Sequence, residues 1–203
     1  MDQWGPILAT VCGSAVFLEL VRYGIDELKV RRRPRITAAQ ALIASSRINA
    51  ALLHYCEVIG AHSVLIMESS NGEKLSRAGQ VMLVTVTHEI CLSAPEHAIQ
   101  TSFIEQPVDA GYNKMLLSLL NASDGFHWTH NPDEIPSPMF RDMYKARKVQ
   151  TAFQFRLQSP DCIIRYLSVR FIRPVSENDA LVRDATHTCA REIISAMTGK
   201  GSL

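Results

Sequence analysis

The sequence of 203 residues lacks the short motifs on which most catalytic and cofactor sites are built. Its ten glycines form neither a G-x-G-x-x-G fingerprint nor a P-loop, so no phosphate cradle is predicted. It has no G-x-S-x-G turn, and its five cysteines form no C-x-x-C pair. The scattered cysteines indicate reduced thiols rather than a disulfide framework. We therefore expect no enzymatic activity, no catalytic residue and no cofactor.

The chain also lacks an excess of charge of either sign. Its 21 Lys and Arg residues face 20 Asp and Glu residues, which leaves a net charge of +1. Without a basic field, no nucleic-acid partner is expected. Hydrophobic residues make up 47% of the chain and charged residues 20%, a balance that excludes a wholly disordered protein. The length suits one domain with a short appendage.

The N-terminal uncharged run is shorter than an ordinary membrane span. Residues 4–18 carry no charge, and as a helix they reach about 22 Å, against a hydrocarbon core of about 30 Å. Extension to Ile25 gives about 33 Å but includes Glu19 and Arg22. A basic cluster follows, which is typical of the cytoplasmic side of a span. We predict a transmembrane anchor over residues 1–30 and a basic juxtamembrane linker over residues 31–35.

These features predict a single-pass protein of the inner (cytoplasmic) membrane with its soluble domain in the cytoplasm. A helix buried against partner subunits is the main alternative, because 15 uncharged residues are few for a span. A cleaved signal peptide would need a basic start, which the first three residues lack. The residues assigned to the anchor are Trp4, Phe17, Leu18, Arg31, Arg32 and Arg33.

The rest of the chain alternates helical and strand patterns. Thr37 is expected to cap a helix over residues 38–59, and a last helix is expected from Ser176 to Met197. The buried stripes of these two helices are expected to include Leu42 and Leu181, respectively. The most clearly alternating hairpin spans residues 149–172. Other strands are predicted over residues 63–68, 80–90 and 126–130, and short helices over residues 112–120 and 138–147.

The economical arrangement of these elements is an antiparallel sheet with the two long helices on one face and the small helices on the other. Three stretches then resemble GAF and PAS-type domains: 63–72 (SVLIMESSNG), 84–89 (VTVTHE) and 164–171 (IRYLSVRF) before a long final helix. The resemblance implies an α+β fold, a GAF/PAS-like antiparallel β-sheet flanked by N- and C-terminal helices over residues 36–198, preceded by an N-terminal transmembrane helix. Residues 199–203 are expected to fray.

The layout is similar to that of phage GAF-like membrane proteins and of single-span phage holins with a soluble C-terminal domain. The first resemblance implies a membrane-anchored, non-catalytic sensory or interaction module that binds a small ligand or a protein and forms a homodimer or higher oligomer. The second implies a lysis protein that oligomerises in the inner membrane through its N-terminal helix. Holin domains of this class are expected outside the cytoplasm, so topology separates the two interpretations.

On the GAF-like resemblance, the strand that ends at Glu89 lines the ligand side of the sheet, and Tyr112 and Trp128 are candidate walls of a pocket. His88 and Glu89 are interpreted as a polar pair in a β-bulge rather than half of a zinc motif. His127 and His130, with Asp133 close by in sequence, have metal-like spacing, but on a strand the two histidines would point to opposite faces. No metal site is therefore expected.

The anchor is testable by deletion. Removal of residues 1–30 should abolish carbonate-resistant association with membranes, because the uncharged run and its basic flank supply the predicted membrane affinity. Membrane fractions of cells that express the full chain or the deletion variant measure this directly. A full-length protein that is soluble and monomeric without detergent would contradict the anchor.

Overall fold

A computed structural model describes residues 37–70, 81–92, 99–157 and 163–199. The chain divides into two compact units between Ala41 and Leu42, and of the first unit only residues 37–41 are described. The elements are α1 (Ala38–Ile59), β1 (Ser63–Ser70), β2 (Leu83–Cys91), a 3-10 turn (Gln100–Ser102), β3 (Gln106–Pro107), α2 (Ala110–Asn121), β4 (Phe126–Thr129), a second 3-10 turn (Pro132–Glu134), α3 (Pro138–Ala146), β5 (Thr151–Leu157), β6 (Ile164–Phe171) and α4 (Ala180–Thr198).

All six strands join one antiparallel sheet in the order β3-β2-β1-β6-β5-β4. Strands β1 and β6 lie at its centre and pair from Ser63 with Arg170 to Ser69 with Ile164. The β5–β6 ladder confirms the predicted hairpin strands. The α+β class and the antiparallel sheet of the sequence analysis are thus confirmed.

Strict alternation along the central strands separates two cores. On β6, Leu167, Val169 and Phe171 face the cluster that contains Leu52 of α1 and Ile193 of α4. Tyr166, on the same strand, belongs instead to a second cluster built with residues of α2 and α3. The two long helices therefore cover one face and the small helices the other, as the pattern predicts, since successive strand side chains point to opposite faces.

The long helices begin at polar caps. Thr37 accepts a hydrogen bond from the backbone N–H of Gln40 at 3.2 Å, and the Gln40 side chain accepts one from the Thr37 N–H at 2.9 Å. This reciprocal pair is a capping box, so the predicted cap is confirmed. The predicted start of the last helix at Ser176 is wrong, because Asp179 caps α4 by accepting from the Val182 N–H at 3.2 Å.

Two expected stripe residues are exposed. Leu42 is 72% exposed because the first buried residue of α1 is Ile48, so the opening turns of the helix precede its packed part. Leu181 is 58% exposed, and its neighbour Val182 is buried at 1% instead. Adjacent residues on a helix lie about 100° apart, so Val182 rather than Leu181 points into the core at the first turn of α4.

A β-bulge interrupts the pairing of β1 and β2. Ile66 pairs with His88 and Met67 pairs with Val86, so Thr87 is the extra residue. The bulge lies one residue before the His88-Glu89 pair at which the sequence analysis expects it, and these two residues pair regularly with Ile66 and Leu65. Because an extra residue reverses the alternation, Glu89 lies opposite Leu65, on the same face of the sheet as Val84 and Val86.

Several sequence predictions fall outside the described residues. These are the anchor over residues 1–30, the basic linker over residues 31–35, the last two residues of the GAF-like stretch 63–72, and residues 200–203 of the tail. Among the described residues, no helix is both long enough and apolar enough to cross a membrane.

One carboxylate joins the N-termini of the two small helices. Asp109 accepts the Tyr112 N–H at 2.8 Å with Oδ1, and its Oδ2 accepts the hydroxyl of Ser137, the cap of α3, at 2.7 Å. The close approach requires glycine at position 111, because a Cβ there would lie 2.4 Å from the carbonyl carbon and oxygen of Pro136. The capped ends of α2 and α3 are thus held together over the second face of the sheet.

Gly111→Ala should destabilise the domain by about 1–3 kcal/mol, because the new methyl group meets backbone that must shift. Alanine favours a helix over glycine by about 1 kcal/mol, so a decrease in the free energy of unfolding of this variant would be due to the clash. Leu117→Ala, on the exposed side of the same helix, is the control and should change the stability by less than about 0.5 kcal/mol. Urea unfolding measures both, and an unchanged Gly111→Ala midpoint would refute the close approach.

Candidate ligand-binding cavity

A cavity of about 260 Å³ lies between the second face of the sheet and the small helices. The sheet contributes Met67, His127, Gln154, Tyr166 and Ser168 to its lining. The remaining lining residues come from α2, α3, the end of β4 and the segment before α3: Tyr112, Lys114, Met115, Ser118, Trp128, Thr129, Glu134, Ile135, Pro136, Phe140 and Tyr144. Sheet and helices therefore enclose it from opposite sides.

Alternation along β5 and β6 points their polar side chains into the cavity. On β5, Phe153 and Phe155 belong to the first core, so Gln154 between them points into the cavity. On β6, Tyr166 and Ser168 take the same side in the same way. Because both strands are buried on both faces, these polar side chains are enclosed by protein: Gln154 is 3% exposed and Ser168 3%.

The enclosed groups are uncharged at neutral pH. Burial lowers the pKa of His127 below its usual value of 6.5, which favours the neutral imidazole. Burial raises the pKa of the Tyr144 phenol, although the charge of Arg170 and hydrogen bonds to Ser168 and Gln154 oppose the shift. The Gln154 Nε2 donates to the Tyr144 hydroxyl at 3.4 Å. The interior is therefore polar without formal charge.

Of the three residues that the sequence analysis groups at a pocket, Tyr112 lines this cavity from α2. Its ring stacks on Phe140 with centroids 4.7 Å apart. Trp128 borders the cavity from β4, but its indole packs in the first core, 4.5 Å from the Phe153 ring. Tyr112 and Trp128 thus both border the cavity, but their two rings lie on opposite faces of the sheet.

Glu89 lies elsewhere on the same face, in a buried ion pair. Its Oε1 accepts from the Arg170 Nη2 at 2.8 Å, with both side chains only 1–2% exposed. Its Oε2 accepts the backbone N–H groups of Ile99 and Gln100 at 2.6 and 2.8 Å. Arg170 also donates from Nε to the Ser63 hydroxyl at 2.6 Å. Glu89 therefore fixes the first 3-10 turn to the sheet, and it does not line the cavity.

The two spaced histidines diverge. His127 faces the cavity, whereas His130 stacks on Trp128 at 5.8 Å and lies 3.8 Å from the Glu177 carboxylate. Asp133 pairs with Lys145 on α3. In the described ranges, no group of three His, Cys, Asp or Glu side chains is placed to hold a metal ion.

Gln154, Tyr144 and Ser168 are cavity residues that the sequence analysis did not select. The signal for Gln154 was present: it is a polar residue between two phenylalanines of a strongly alternating strand. A strand buried on both faces places such a residue in an interior, where it needs a partner. Ser168 carried the same signal, because it lies between Leu167 and Val169 of another alternating strand. Tyr144 carried no comparable signal, because the face that its helix turns to the sheet is known only from packing.

The fold is that of GAF domains. The PixJ GAF domain of Thermosynechococcus elongatus, in its blue-light absorbing form, has a TM-score of 0.55 and 9% identity, with 81% of this chain and 91% of that chain covered. The GAF domain region of a putative membrane protein from Geobacter sulfurreducens has a TM-score of 0.51 and 11% identity, with coverages of 79% and 96%. The GAF domain of a two-component sensor histidine kinase from Bacillus halodurans has a TM-score of 0.51 and 9% identity, with coverages of 77% and 97%. Neither a family profile nor a curated protein matches the sequence.

The buried ion pair can be tested by a double-mutant cycle. Arg170→Met and Glu89→Gln should each cost about 3–5 kcal/mol, because each leaves a buried partner without its counter-charge. The double variant should cost less than the sum of the two, since the charges are removed together. Lys145→Met, which breaks the half-exposed pair with Asp133, is the control and should cost less than about 1 kcal/mol. Additive single effects in denaturant unfolding would show that the pair is not coupled.

Proposed function

We propose that this protein is a non-catalytic sensory module of the GAF type that binds a small ligand between its sheet and its small helices. The observation that carries the proposal is the cavity, which has apolar and aromatic walls and a few convergent polar side chains, the usual character of a small-molecule site. Ligand binding there would act on α2 and α3, whose joined N-termini are held by Asp109.

Sensing is the role that the printed names of the structural neighbours suggest. One neighbour is described as a blue-light absorbing domain and another as part of a sensor histidine kinase. A GAF domain can therefore serve as the receptor part of a signalling protein. We extend that role to this chain because its cavity lies enclosed between the sheet and small helices of the same fold.

We further propose that residues 1–30 tether the domain to the inner membrane, with the domain in the cytoplasm. The uncharged run and the basic flank support this topology. A structural neighbour is the GAF region of a putative membrane protein, which gives the combination a precedent. The holin interpretation depends on the N-terminal segment, which lies outside the described residues.

A second copy of this chain is the partner that we propose for α1. Ile43, Ala50 and Leu53 recur at intervals of seven and three residues on exposed positions of this helix. Ile43 is 56% exposed and Leu53 is 40% exposed. Such spacing is typical of the seam between two paired helices, so it supports the homodimer expected from the sequence.

Occupation of the cavity can be tested with a matched pair of tryptophan variants. Met115→Trp should fill the cavity and abolish the thermal shift caused by a bound ligand, whereas Leu117→Trp, on the exposed side of α2, should keep it. A ligand at a hundred times its dissociation constant stabilises the folded state by about 2.7 kcal/mol. The probes are nucleotides, cyclic nucleotides, nucleobases, haem and aromatic metabolites, tested on the full chain.

Native mass spectrometry of the purified full chain is the second readout, because a ligand retained from the cell would add a discrete mass. A shift that survives Met115→Trp would place binding outside the cavity. Steady turnover of any probe would overturn the non-catalytic assignment. The absence of any shift and any added mass would count against ligand sensing.

A further inference from the structure

The interior of the cavity contains polar atoms that no group of the protein satisfies. The Gln154 Oε1 and the hydroxyls of Tyr112 and Tyr166 are buried and have no hydrogen-bond partner. A buried polar atom without a partner keeps the cost of its desolvation, so such atoms are rare in native proteins and need an explanation. All three side chains line the same cavity, which makes a ligand the simplest missing partner.

The unsatisfied hydroxyls and the unsatisfied amide oxygen need different hydrogen-bond partners. A tyrosine hydroxyl can donate or accept, so Tyr112 and Tyr166 tolerate either kind of ligand atom. An amide oxygen only accepts, and the Nε2 of Gln154 is already directed at the Tyr144 hydroxyl, at 3.4 Å. The ligand must therefore supply a donor to Gln154.

The charges of the lining residues lie at its rim. Lys114 and Glu134 are exposed, whereas Tyr112, Phe140 and Tyr144 are buried. Burial also favours the neutral form of His127. Arg170 lies near Tyr144, but it is outside the lining and its charge is compensated by Glu89. An anionic or cationic group would lose its hydration inside without gaining a counter-charge from the lining.

The walls favour a flat ring system. The stacked rings of Tyr112 and Phe140 form one aromatic surface, with an interplanar angle of 28°. Met67 and Met115 add thioether side chains, which adapt to ring edges. The volume of about 260 Å³ lies below the roughly 300–1,000 Å³ of pockets for drug-sized ligands, so one or two rings fit.

Resting on the ligand-binding function proposed above, we infer that the cavity takes an uncharged one- or two-ring heteroaromatic molecule whose N–H donates to the Gln154 Oε1. This assignment distinguishes the site from one for phosphorylated nucleotides, which would need cations in the interior. It also gives Gln154 the role of the specificity-determining residue.

Two isosteric probes test the inference on the unchanged full chain. Indole carries a ring N–H, and benzofuran has an oxygen in the same position. Indole should bind at least about tenfold more tightly, because only indole can satisfy the buried acceptor. Ligand-observed NMR titration and isothermal calorimetry measure both affinities, and Met115→Trp should abolish binding of both probes.

Gln154→Met tests the residue itself, since methionine keeps the length of the side chain and removes the acceptor. The preference for indole over benzofuran should then fall to about one. Tyr55→Phe is the control: its hydroxyl bonds to Thr186 on the other side of the sheet, so the preference should stay. Circular dichroism and thermal melting of each variant check that the fold is retained.

The outcomes separate this inference from the function on which it rests. Equal affinities of indole and benzofuran, both lost in Met115→Trp, would overturn the donor requirement and leave a ligand site in place. Tighter binding of cyclic nucleotides or of indole-3-carboxylate at the same site would overturn the uncharged class. Failure of every probe to bind would count against both.

Discussion

Burial of the central strands on both faces is the constraint on which the rest of this structure depends. Strands β1 and β6 pair in the middle of the sheet, so neither face of them can be left to solvent. Because their side chains alternate between the two faces, one layer must pack on Leu167 and Val169 and another layer on Tyr166. The long helices supply the first layer through a continuous apolar core. The small helices supply the second layer, and the cavity lies where they do not pack directly on the sheet.

Polar side chains on the second face are distributed so that charge and cavity are kept apart. Arg170 and Glu89 neutralise each other where β6, β1 and β2 meet, and the backbone of the first 3-10 turn satisfies the remaining carboxylate oxygen. Gln154 and Tyr112 lie on the cavity side and carry no charge. The buried ion pair is therefore a structural element of the fold, at a distance from the lining of the cavity.

Sequence patterns predict only part of the candidate site. Tyr112, which the GAF-like resemblance offers as a pocket wall, lines the cavity from α2. Glu89 lies on the face of the small helices, which the GAF-like resemblance implies, because the bulge at Thr87 shifts the alternation of β2. Its engagement with Arg170 was not foreseen, since 81 residues separate the two and no local pattern links them. The ring of Trp128 could not be assigned to a face, because a four-residue strand has too few side chains to fix its alternation.

The sequence by itself determined the periodic features: the capped first helix, the alternating hairpin strands β5 and β6, and an antiparallel sheet with the long helices on one face and the small helices on the other. These follow from local propensity and from the spacing of apolar residues, which act within one element. Tertiary structure alone decided the start of α4, the exposure of Leu42 and Leu181, the Arg170–Glu89 pair and the cavity between sheet and small helices. Each of these depends on which surfaces meet, and packing between elements distant in sequence selects among faces that local patterns leave equivalent.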